Sequence, residues 1–181
     1  MPNQPYNKAR PRTLMTLCLC ILVTGPAIGG TPIKNDPNGF LGIQWGKPLA
    51  DRADLKEIDF HDTLRIYTLK MEKPQIEDIS MESVKLYTIE GKFVRILFRY
   101  QGKSIHESLV DYLESQFGKT DHAYGSLYGS MMRKLNQQYT WRGPDTEITI
   151  TYHGYRERGF LIAESRVLAP LFLNSLSDDS F

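Results

Sequence analysis

"SVKLYTIEGKFVRILFRY", residues 83–100, is the stretch that decides how this chain folds. Two runs rich in β-branched and aromatic residues flank a glycine, the pattern of two antiparallel strands joined by a tight turn. A two-residue loop at Gly91-Lys92 would pair Ile89 with Val94 and Tyr87 with Ile96. In that register Val94, Ile96, Phe98 and Tyr100 share one face with Tyr87 and Ile89, and this face is expected to be core. The opposite face mixes Val84, Leu86, Phe93 and Leu97 with Thr88, Arg95 and Arg99, half wet and half apolar.

The next segment, "SIHESLVDYLESQFG", predicts a helix over 104–118. Ser104 is the expected N-cap, with Glu107 three residues on completing a capping box. Ile105, Leu109, Val110, Leu113 and Phe117 form an apolar stripe at helical spacing, and Gly118 is the expected αL cap. Burying that stripe is worth ~10 kcal/mol gross before ordering entropy is subtracted. The stripe is expected to dock on the hairpin's apolar face.

Further strands read on either side. "FLGIQWG" (40–46) and "LRIYTLKM" (64–71) come before the hairpin, with "PLADRADLKEI" (48–58) between them as a short helix or turn. "QQYTWRG", "EITITYHGY" and "FLIAESRVL" follow the helix, turning at Gly143-Pro144-Asp145 and at Arg158-Gly159. The expected fold class is α+β: an antiparallel sheet of about six to seven strands with one main helix packed on one face.

The front of the chain reads as an address. Residues 1–29 hold Lys8, Arg10 and Arg12 and no acid, then an apolar core from about Leu14 to Val23, then Gly25-Pro26-Ala27-Ile28-Gly29. This is the order of a secretory signal, with cleavage expected before Gly30. An uncleaved membrane anchor is the competing reading, but a span needs about 20 apolar residues and Pro26 interrupts early. The expected organisation is a signal over 1–29, a linker over 30–39, a single domain over 40–168 and a polar tail over 169–181. The domain would then work in the periplasm or outside the cell, touching a membrane only through an uncleaved leader.

Charge and cysteines narrow the classes. Of 22 basic residues three lie in the leader, which leaves 19 against 21 acidic, a formal −2. That gives no basic footprint for nucleic acid. Both cysteines, Cys18 and Cys20, sit in the leader, so the remainder has no thiol for a disulfide or thiolate metal site. Leu17 and Leu19 precede them, where a lipoprotein signal wants a small residue.

The landmarks "GFLGIQWG", the hairpin "SVKLYTIEGKFVRILF", "LESQFGK", "YTWRG…TEITITY" and "FLIAESRV" together resemble a family of small exported proteobacterial α+β domains of uncharacterised function. The resemblance covers about residues 39–168. It implies fold and compartment and carries no activity over. The chain departs from it in the loop 120–138 and after Leu168.

The reactive patterns dissolve on reading. "HESLV" (106–110) has Val110 where a zinc-protease helix needs its second histidine. The four histidines at 61, 106, 122 and 153 have no ligand spacing, and His106 is expected on a solvated helix face. In "YGSLYGS" (124–130) the serines miss the nucleophile-elbow position. His61-Asp62 point to opposite strand faces, and "DPNG" (36–39) lacks the acids of a calcium loop. Phe181 follows "SLSDDS", which is no membrane strand. No cofactor, metal or catalytic residue is therefore assigned. The expected function is a non-catalytic binding module for an envelope protein or a small ligand. Its expected contacts are Arg95, Leu97 and Arg99 on the mixed face and Tyr124, Tyr128 and Met131 on the 120–132 loop. The alternative is a small periplasmic hydrolase whose site assembles only in three dimensions.

Overall fold

The computed structural model describes residues 31–71, 73–120, 123–124 as backbone alone, and 136–172. The leader, His122, Tyr128, Met131 and residues 173–181 lie outside these residues.

The elements run β1 (Thr31–Pro32), β2 (Gly39–Phe40), β3 (Ile43–Gln44), β4 (Leu55–His61), β5 (Leu64–Leu69), β6 (Gln75–Ile76), β7 (Ile79–Ser80), β8 (Ser83–Ile89), β9 (Lys92–Gln101), α1 (Lys103–Phe117), β10 (Ala123–Tyr124), β11 (Asn136–Arg142), β12 (Thr146–His153) and β13 (Arg158–Ser165). One sheet has the path β1-β11-β12-β13-β9-β8-β5-β4, and β10 also pairs with β11. β1 runs parallel to β11, while the other pairs are antiparallel.

This corrects the expected antiparallel sheet of six to seven strands with one main helix. The sheet is mixed, eight strands long on its path, and the described residues are 50% strand and 15% helix. The two strands of this path missing from the sequence reading, β1 and β4, have a physical reason to be hidden. β1 is a two-residue backbone tie with no periodicity. β4 begins inside the segment expected to be a short helix or turn, and of its seven residues only Leu55 is buried. "GFLGIQWG" is likewise two short strands, β2 and β3, joined by a tight turn.

The hairpin forms with its turn one residue earlier than expected, which displaces the pairing by two residues at the turn and, beyond a bulge, by one. Ile89 pairs with Lys92, so the loop is Glu90-Gly91, and both residues have positive φ (51° and 74°) as a type I′ turn requires. Leu86 then faces Ile96 and Val84 faces Phe98. A slip of one residue exchanges the faces of a strand. Val84 and Leu86, expected on the mixed face, are 1% exposed in the core with Ile96, Phe98 and Tyr100. Val94 is an extra residue in β9 at a bulge, since Tyr87 pairs with Arg95 and Thr88 with Phe93. It joins Ile89, Tyr87 and Phe172 in a second cluster.

α1 covers the core face of the sheet with His106, Leu109 and Leu113, spaced i, i+3, i+7. Ile105, Val110 and Phe117 pack at its margins. Gly102, not Ser104, is the N-cap, and no side chain caps that end. Gly118 ends the helix at φ 96°, ψ 158°, outside the αL region. Its carbonyl accepts the Trp141 indole N–H at 2.8 Å, which ties the helix end to β11.

Candidate functional site

The strand alternation that buries Ile96, Phe98, Tyr100, Leu161 and Ala163 turns Arg95, Leu97, Arg99, Phe160, Ile162 and Glu164 to the face away from α1. β9 and β13 are neighbours, so these residues meet in pairs: Glu164 opposite Arg95, Ile162 opposite Leu97, Phe160 opposite Arg99. His153 of β12 stands opposite Arg158, its ring 6.2 Å from that of Phe160. The turn between β12 and β13 brings Arg156 to the same end. Glu82, Leu97, Arg99, His153, Arg156, Arg158, Phe160 and Ile162 line a groove of about 460 Å³. Its floor is apolar (Leu97, Phe160, Ile162) and its rim is polar, the composition of a small-ligand site.

The charges separate this groove from the rest of the surface. Eight arginines are described. Five are engaged: Arg52 with Asp54, Arg65 with Glu57, Arg95 with Glu164, Arg142 with Glu147, and Arg166 on the Gly143 carbonyl. Arg99, Arg156 and Arg158 have no carboxylate or carbonyl partner among the described residues, and all three line the groove. Glu82, the one acid in the lining, makes no ion pair there either. Exposed guanidinium groups held on adjacent strands present forked donors to an oxyanion.

The expected contacts therefore part company. Leu97 and Arg99 are in the groove. Arg95 is on the same face but occupied: its Nε donates to Glu164 Oε2 at 2.7 Å and its guanidinium lies 3.9 Å over the Phe172 ring. Phe172 also meets Tyr87 edge-on at 5.5 Å, so the segment after β13 folds back across this part of the sheet. Tyr124 is in β10, where the backbone alone is described. Tyr128 and Met131 fall outside the described residues. Arg156, Arg158, Phe160 and Ile162 were not singled out from sequence, and His153 only as one of four histidines without ligand spacing. They become neighbours of Arg99 only through the β9–β13 pairing, which joins residues some sixty apart.

The described histidines do not converge. His61 is exposed on β4 at the sheet edge, His153 is at the groove rim, and His106 is 1% exposed beneath α1, which corrects its expected solvated position. His106 Nδ1 is 2.7 Å from the Tyr100 hydroxyl and Nε2 is 2.9 Å from Gln137 Oε1. The neutral donor order that fits is Tyr100 O–H to Nδ1 and Nε2–H to Gln137. The ring also stacks on Tyr152 at 4.7 Å. Burial lowers the His106 pKa, outweighing the opposing Gln137 bond, and drives the Tyr100 phenol far upward. These shifts come from core burial. Among the described residues no three His, Cys, Asp or Glu are grouped to hold a metal. No helix there is long and apolar enough to cross a membrane.

The chain matches no family model, no curated protein and no solved structure.

A smaller groove of about 330 Å³ lies between the β2–β3 hairpin and α1, lined by Phe40, Ile43, Tyr112 and Phe117. It has no charged residue in its lining.

Proposed function

We propose that this protein is a non-catalytic binding module, exported by its N-terminal segment, that takes a ligand in the groove between β9 and β13. The observation that carries this reading is the gathering around an apolar floor of three arginines with no ion-pair partner among the described residues. A solvated sheet face needs no such arrangement, and the neighbouring Arg95 and Arg142 show the ordinary outcome, a cross-strand acid at about the right distance. The basic, apolar and small-residue order of residues 1–29 supports work outside the cytoplasm.

Amide chemical-shift mapping with a fragment library tests the reading. Fragments should shift Leu97, Arg99, Phe160 and Ile162 together, leaving the β4 edge unmoved. Shifts confined to the Phe40–Tyr112 groove, or no groove shifts from any fragment, would contradict it.

A further inference from the structure

We infer that the ligand is a small dissolved organic oxyanion, a carboxylate or phosphate carried on an apolar body. This rests on the binding-module reading above and specifies its chemistry. Arg99 and Arg158 lie diagonally on adjacent strands of one face, since Arg99 is opposite Phe160, two residues along from Arg158. Side chains in that relation are within reach of one ligand group. Arg156 adds a third guanidinium from the turn. A single oxyanion is the group that satisfies such forks without a further cation. Beyond the arginines the floor continues as Phe160, Ile162 and Leu97, which would leave a purely inorganic anion with no partner for half the site. The volume of about 460 Å³ is that of a small-molecule cleft.

A lipid surface fits less well. Glu82 lines the groove. Glu82 would face a continuous sheet of like-charged head groups, while one small anion can sit among the arginines and avoid it.

Octyl phosphate, kept below its micelle-forming concentration, is the probe, titrated calorimetrically into the full chain beside octanol and inorganic phosphate. The expected result is a Kd at least about tenfold lower than for either half-ligand, a difference of about 1.4 kcal/mol. Octanoate should compete with octyl phosphate. R99A/R158A should lose about tenfold or more in affinity with an unchanged melting temperature, and R99K/R158K, which keeps charge but not the fork, should fall between. Should the double variant misfold, R156A on the exposed turn should still weaken binding severalfold. Octanol binding in the groove as tightly as octyl phosphate would overturn the oxyanion and leave the binding module standing. Binding to phosphatidylglycerol vesicles without binding to the monomer would overturn the dissolved ligand. Failure of every fragment to shift the groove would remove the underlying reading itself.

Discussion

The indole Nε1–H of Trp45 donates to Thr146 Oγ1 across 2.9 Å, joining residues 101 apart in the chain. The same hydroxyl donates to the Asp36 carboxylate, which also accepts from the backbone N–H groups of Asp145 (2.6 Å), Thr146 (3.0 Å) and Asn38 (3.2 Å). Gly143 leaves room for it, since a Cβ there would lie 2.2 Å from Oδ2. This relay pins the segment before β2 and the one after β3 to the start of β12. Thr146→Val preserves the volume and removes both bonds from a fully buried position. It should cost about 1–3 kcal/mol of unfolding free energy in urea at pH 7, with Thr146→Ser costing less. A valine variant as stable as the parent would contradict the relay.

Asp36 should also set the acid limb of the stability curve. Burial alone would raise its pKa, but the hydrogen bonds from Thr146, Asp145 and Asn38 outweigh that and hold it below the ordinary 3.8. The folded state therefore favours the carboxylate. Its contribution is present above pH 3.8 and is lost as pH falls below that toward the folded value. Asp36→Asn should be less stable at neutral pH and lose less on acidification, as read by urea midpoints in pH steps.

His106 should act in a separate window. Its pKa is lowered by burial from 6.5, so protons bind the unfolded chain more tightly. Its stability cost is absent above pH 6.5 and grows as pH falls from there toward the folded value. His106→Gln should flatten this upper limb and leave the Asp36 limb in place. A variant with the parent's slope between pH 6.5 and 5 would show that His106 is not the group responsible.

Gly159 in β13 allows Tyr100 to lie across it. A Cβ at that position would fall 2.1 Å from the Tyr100 ring. Gly159→Ala must displace the ring and with it the bond to His106, at a cost of about 1–3 kcal/mol or more. The check is the melting temperature together with the His106 titration, which should move toward its ordinary value as water gains entry.

The reach of the sequence is clearest in the hairpin. Alternation in 83–100 reveals two strands, and their pairing follows. The register does not, because Glu90 adopts positive φ where glycine is the ordinary choice, so Gly91 reads as the first turn residue when it is the second. Moving the turn by one shifts the pairing by two and leaves the faces alone; the extra residue of the bulge at Val94 is what brings Val84 and Leu86 to the core side. Leu97 and Arg99 alternate with the buried Ile96, Phe98 and Tyr100 and keep the open side. His106 was legible in principle: it shares the 106, 109, 113 spacing with Leu109 and Leu113, but its polarity argued against a buried place. The far half of the groove was not legible. Nothing local in "HGYRERGFLI" says that β13 will lie beside β9, and no spacing within β12 or β13 marks Arg156 and Arg158 as unpaired.

The central claim is that Arg99, Arg156 and Arg158 stand ready for an external anion while their neighbours are satisfied within the fold. Arginine Nε–H resonances test it most directly. Arg95 and Arg142, whose Nε–H groups donate to Glu164 and Glu147, should give sharp, slowly exchanging signals at neutral pH. The three groove arginines should be broadened by water exchange and should sharpen on adding octyl phosphate. Sharp groove signals before any ligand is added, or signals that octyl phosphate leaves broad, would contradict the account.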